Sequence, residues 1–147
     1  MVDYSLRQAH EKDSAAIRKL IHKVGINPTG LDWKRFVVAV RPSGELIGCG
    51  QVKPHGRAVL ELASIAVAPD YRKLGIASAI IKYLLEKSAR PMFLMCRSQL
   101  GSFYEKLGFR VLALNEMPTY FRRISQVAGL IESLARAGET LLVMKLQ

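Results

Sequence analysis

Apolar residues recur along the chain first with a helical period, then with that of strands, then with both in alternation. Ile17, Leu20, Ile21 and Val24 fall at i, i+3, i+4 and i+7, which predicts a helix from about Glu11 to Val24 with Gly25 at its C-cap. A short strand over Tyr4–Arg7 precedes it. Phe36–Val40, Leu46–Val52 and Val59–Val67 read as three strands, divided by the turns Pro42-Ser43-Gly44 and His55-Gly56-Arg57, and form an antiparallel meander. Ala77, Ile80, Ile81 and Leu84 return to the helical period, and Pro91 marks the end of that segment. Met92–Cys96 is a continuous apolar run, the pattern of a strand buried on both faces. Ser98 is placed to cap a helix carrying Leu100, Phe103, Tyr104 and Leu107, and Gly108 to end it. A strand over Phe109–Leu112 follows. Pro118 then starts a helix whose buried side is Tyr120, Ile124, Val127, Ile131 and Leu134, closed by Gly138, and Leu141–Lys145 is the last strand.

The order is β, α, βββ, α, β, α, β, α, β: an α+β chain with a mixed sheet of about seven strands and four helices. The third meander strand, the helix after it and the Met92 strand make a β-α-β crossover, which sets those two strands parallel. Neither repeat nor linker interrupts the pattern, so residues 1–147 are expected to form a single domain.

Composition narrows the classes. No run approaches the roughly 18 apolar residues of a membrane span, and the first residues lack the apolar core of a signal peptide, so a cytoplasmic location and no membrane partner are expected. Cys49 and Cys96 stand alone inside apolar segments, and His10, His22 and His55 have no ligand spacing. Buried free thiols and no metal site are therefore expected. The charge is the unusual feature: 22 Lys and Arg against 12 Asp and Glu, a net +10, which favours an anionic partner. Nucleic acid, a membrane surface and a phosphate-rich cofactor are the candidates, and the spread of the basic residues from Arg7 to Lys145, with no dense tract, weakens the first.

One segment suits such a cofactor. Val67-Ala68-Pro69-Asp70-Tyr71-Arg72-Lys73-Leu74-Gly75-Ile76-Ala77 leads from a strand through a turn into the start of a helix. The first N–H groups of a helix lack internal partners, and the helix dipole adds partial positive charge there, so the place attracts anions. Gly75 lets a phosphate approach the backbone, Ala77 is nearly as small, and Arg72 adds positive charge. Taken alone, Gly75 fits an easy tight turn equally well.

The flanking residues resemble the acetyl-CoA signature of the GNAT superfamily of N-acetyltransferases, Gln/Arg-x-x-Gly-x-Gly/Ala, with Arg72, Gly75 and Ala77 at its fixed positions. A second block, Phe103-Tyr104-Glu105-Lys106-Leu107-Gly108-Phe109, is similar to the Tyr-containing helix end and following strand of the same family. The resemblance extends to the element order along nearly the whole chain. It implies a V-shaped cleft between the fourth and fifth strands. Pantetheine would lie on the backbone of Ile65, Ala66 and Val67 like an added strand, with Met92–Cys96 as the other wall. The pyrophosphate would sit on the N–H groups of Arg72, Lys73, Leu74, Gly75, Ile76, Ala77 and Ser78. The donor implied is acetyl-CoA, the reaction acetyl transfer to a primary amine by direct attack in a ternary complex, and no metal is involved.

By the same resemblance, Tyr104 protonates the departing thiolate, and Gly101 leaves room beside it for a ligand; the residues alone allow Tyr104 to be a core residue. Glu61 precedes Arg72 by 11 positions, as the catalytic glutamate does in some members, and is the candidate base. Alternation places it with Ala63 and Ile65, opposite Leu60 and Leu62; a surface glutamate near the His55 turn is the other reading. Trp33 either lines the acceptor pocket or plugs the core. The helix between the last two strands, with Arg122, Arg123 and Arg136, stands where many relatives have a short hairpin; it covers a sheet edge or packs on a second subunit, the route to a homodimer. A non-catalytic acetyl-CoA-binding regulator and a basic nucleic-acid-binding domain are the competing functions.

Overall fold

The computed structural model describes residues 2–134 and 140–147. Among the described residues, seven strands, β1 (Ser5–Gln8), β2 (Phe36–Val40), β3 (Leu46–His55), β4 (Val59–Val67), β5 (Met92–Arg97), β6 (Arg110–Val111) and β7 (Leu141–Leu146), accompany four α-helices: α1 (Ser14–Val24), α2 (Ile76–Glu86), α3 (Gly101–Glu105) and α4 (Thr119–Leu134). The element order is the one the periodicity predicts, in an α+β chain. The residues fall into two units: Met1–Lys53 with Leu62–Ser88, and Pro54–Glu61 with Ala89–Gln147. The tip of the β3–β4 hairpin thus belongs to the second unit and the rest of both strands to the first.

In the first unit the strands run β1-β2-β3-β4, with β1 antiparallel to β2 and β2 to β3. The apolar face of α1 buries Ile17, Leu20 and Ile21 against Phe36, Val38, Cys49 and Ala66. Trp33 packs on this cluster, which supports the plug reading. Gly25 ends α1 with a left-handed φ of 80° and donates to the carbonyls of Ile21 and His22. On the other face, a Cβ at Gly50 would come within 2.8 Å of Ile80 and 3.2 Å of Leu84, and one at Gly48 within 3.0 Å of Ile80. Two glycines on β3 therefore let α2 lie directly on the strand.

In the second unit β5 pairs antiparallel with β7, from Met92↔Leu146 to Arg97↔Leu141, and β7 pairs antiparallel with β6, so the last strand in sequence sits between the two before it. Phe93, Leu112, Met117, Phe121 and Val143 form its core, with Val59 and Met95 packed against them.

Three expectations require correction. Tyr120 and Val127, expected on the buried side of the fourth helix, are exposed, and Phe121 is the fully buried residue beside Tyr120. Ser98 does not cap α3: it opens a 3-10 turn, Ser98–Leu100, whose N-cap is Arg97, and its hydroxyl accepts from the Thr140 N–H at 3.3 Å. The space beside Gly101 is taken by a side chain rather than left for a ligand: a Cβ there would meet the half-buried Leu142 at 2.9 Å. Arg136, Gly138 and the side chains of Ile131 and Leu134, expected on or at the end of the fourth helix, lie outside the described residues.

Candidate active site

The strand-to-helix loop is pinned at its root. The Ala68 N–H donates to the Ile47 carbonyl at 2.8 Å. The Tyr71 hydroxyl accepts from the Arg41 guanidinium at 3.1 Å and donates to Glu45 at 3.2 Å, and the Arg41 guanidinium also lies over the Tyr71 ring. Arg72 is exposed and folds back, its Nε donating to the Val67 carbonyl at 3.3 Å, so the guanidinium closes the loop between β4 and α2. Lys73 and Gly75 both lie in the left-handed region, at φ 64° and 82°. Turns of this kind gather successive N–H groups toward one side, where an anion binds.

Gly75 is the N-cap of α2 and supplies no side-chain cap. A Cβ built there would meet nothing within 4 Å, so the approach to the helix start is open. Ile76 is buried and anchors the first turn, while Ala77 and Ser78 are half-buried. The residues fit a bound pyrophosphate: an uncapped helix N-terminus, a left-handed glycine and small residues after it.

Upstream, β4 is irregular. Ser64 has a φ of 58°, rare for a residue with a side chain and a mark of a bulge when it falls in a strand. Its hydroxyl accepts from Gln51 Nε2 at 2.8 Å, and its carbonyl accepts a weak bond from the Cys49 thiol. Strict alternation therefore does not carry from Glu61 through to Ile65: Glu61 and Leu62 are both buried, as are Ala66 and Val67, with Ala63, Ser64 and Ile65 half-buried between them.

The second unit holds the two predicted catalytic residues. Tyr104, on α3, is only 7% exposed and lies edge-on to Phe103 and Phe109. Burial, with the neighbouring Cys96 adding to it, pushes its hydroxyl up to about 12. Glu61 is 4% exposed, which excludes the surface reading. Its Oε1 lies 2.7 Å from His55 Nε2 across the hairpin tip. The His55 ring stacks on Tyr120 of α4, with centroids 3.7 Å apart and planes 20° from parallel, and Phe121 stands edge-on at 6.1 Å. The Tyr120 hydroxyl is raised above its ordinary value, by desolvation first and by the Glu61 charge second. Sequence reasoning treats His55 only as a turn residue and Tyr120 only as a buried helix position.

Both thiols are buried, and desolvation pushes Cys49 up to about 12 and Cys96 to about 11, as expected for inert core cysteines. Among the described residues no group of His, Cys, Asp and Glu could hold a metal ion, and no helix is long and apolar enough to cross a membrane.

Residues 32–111, more than half of the chain, match the model of the acetyltransferase (GNAT) domain. The chain belongs to the GNAT acetyltransferase family. Solved structures share its fold. A Mycobacterium tuberculosis protein in complex with CoA is 22% identical, with a TM-score of 0.76 over 97% of this chain and 98% of its own. N-acetylglutamate synthase from Neisseria gonorrhoeae, complexed with coenzyme A and N-acetyl-glutamate, is 23% identical, with a TM-score of 0.73 over 100% of this chain and 36% of its own. A Trypanosoma brucei acetyltransferase is 26% identical, with a TM-score of 0.58 over 76% of this chain and 95% of its own. This GNAT chain spans about a third of the length of the N-acetylglutamate synthase chains it matches.

Proposed function

We propose that residues 1–147 work as one acetyltransferase domain that moves an acetyl group from acetyl-CoA to a primary amine by direct attack. The observation that carries this reading is the loop from Arg72 to Ser78, where a left-handed, uncapped Gly75 opens a helix N-terminus inside the family's cofactor signature. Relatives of the same fold solved with coenzyme A support it, one of them together with an N-acetylated amino acid.

In this reading the N–H groups of Arg72–Ser78 take the pyrophosphate, and the net charge of +10 favours arrival of so anionic a donor. The backbone of Ile65, Ala66 and Val67 takes the pantetheine amides as an added strand would. Acetyl-CoA supplies a thioester carbon activated for attack. Tyr104 keeps its proton at neutral pH, as its environment favours, and gives it to the sulfur as the C–S bond breaks. Glu61 serves the removal of the proton from the amine.

The test is calorimetric titration with acetyl-CoA, coenzyme A and dephospho-coenzyme A, on the wild type and on Gly75→Val. One-to-one micromolar binding by the wild type is expected, with loss of binding in the variant. The variant folds, because its new side chain meets open space, at a strain of about 1–2 kcal/mol for the left-handed backbone. Normal binding by Gly75→Val would refute the phosphate-loop assignment. No binding by the wild type would refute the donor.

A further inference from the structure

We propose that the base of this reaction is His55, and that Glu61 acts through it as a positioning residue. The inference rests on the acetyltransfer reading above and refines its proton-removing step. The Glu61 side chain is 5% exposed and one of its oxygens is already held at 2.7 Å by His55 Nε2, whereas the His55 side chain is 19% exposed. Of the two groups, the imidazole is the more open to solvent, and Glu61 Oε1 is already engaged by it.

The carboxylate also fixes the chemistry of the ring. A neutral imidazole has one N–H and one lone pair, and an ionised carboxylate at Nε2 demands the N–H there. The lone pair is then on Nδ1. A proton taken at Nδ1 leaves an imidazolium still hydrogen-bonded through Nε2 to the Glu61 carboxylate. The ring has little freedom to turn away. Tyr120 lies against its face at 3.7 Å, and Phe121, fully buried, stands at its edge. Four residues from a hairpin tip and a helix start therefore build one clamped dyad.

The step balances. His55 Nδ1 takes one proton from the ammonium, so the nitrogen lone pair can form the C–N bond to the thioester carbon. The C–S bond breaks with its electron pair going to sulfur. Tyr104 protonates the sulfur and is reprotonated by the second proton leaving nitrogen. His55 returns the first proton to water.

Two acceptors separate this from a structural role. Hydroxylamine is already neutral at neutral pH and needs no base for the first step, while primary alkylamines are protonated and do. Coenzyme A release would be followed with each, on the wild type and on His55→Gln, which keeps an N–H donor for Glu61 but cannot take a proton. The expected result is a loss of about 100-fold or more with a panel of primary alkylamines and a change of less than about threefold with hydroxylamine, with acetyl-CoA affinity and melting temperature kept. Glu61→Gln, which keeps the shape without the charge, should show the same split between acceptors to a smaller degree, and it stands in if His55→Gln does not fold. Equal rates in variant and wild type, or an equal loss with both acceptors, would overturn the dyad while leaving acetyl transfer intact. No release by the wild type with any acceptor would overturn the acetyltransfer reading itself, and the dyad with it.

Discussion

Tyr104, the proposed acid, has surroundings that suit that role. Its ring lies edge-on to Phe103 and Phe109, and burial, with Cys96 adding to it, disfavours the phenolate. An acid that must wait for a thiolate benefits from holding its proton. Because its value is raised to about 12, the rate should not fall through loss of this proton as pH climbs through the weakly alkaline range. Tyr104→Phe should lower kcat by about 100-fold while leaving acetyl-CoA affinity almost unchanged, as initial rates and calorimetry would report. A variant with normal kcat would return Tyr104 to the core. Gly75 and Tyr104 were picked out by resemblance to the family's spaced signature and to its Tyr-containing helix end. His55 was not, because its partners come from three places: Glu61 across the turn, and Tyr120 and Phe121 from a helix far along the chain. The one available signal was register, since a hairpin closing at Gly56 brings residues on its two arms together. Gly101 was misjudged because spacing cannot tell a glycine that makes room for a ligand from one that admits Leu142.

At the scale of elements, the join between β1 and α1 depends on one ion pair. Arg7 donates twice to the Asp13 carboxylate, at 2.7 and 3.1 Å, and the His10 N–H donates to it at 2.7 Å. These bonds, those from Arg7 most of all, hold the Asp13 carboxyl below its ordinary value. A lowered folded-state value means that the pair's stabilisation is present above the unfolded carboxylate's titration and is lost as pH falls through the folded one. Asp13→Asn should therefore destabilise the protein by about 1 kcal/mol at neutral pH, the Arg7 side chain being a third exposed. Denaturation curves of variant and wild type should converge in acid; a gap that persisted there would assign the loss to packing. Long periodic segments such as α1 and the meander strands were readable because their own residues decide them. The five-residue α3 and two-residue β6 were overdrawn, since short elements are bounded by neighbours rather than by propensity. The insertion of β7 between β5 and β6 is a pairing choice that no local pattern encodes.

At the scale of the molecule, the division of the chain matters most. Pro54–Glu61, which carries His55 and Glu61, belongs with Ala89–Gln147, and the residues on either side of it belong elsewhere. A fragment of residues 89–147 lacks Val59 from its core cluster and the hairpin tip with it. Expressed alone, it should show no cooperative melting transition by circular dichroism, and adding the 1–88 fragment should restore one. Independent folding of 89–147 would mean that the hairpin tip is dispensable to the second unit. The sequence suggested nothing of this, because turn residues at 55–57 mark where a chain reverses and not which core the reversal joins. The same layout constrains how such a chain can be recombined. Swapping its C-terminal portion for that of a relative at a single crossover between residues 62 and 89 separates the hairpin tip from the unit that holds it, so such hybrids must exchange two blocks together or pair His55 and Glu61 with a foreign helix in place of Tyr120 and Phe121.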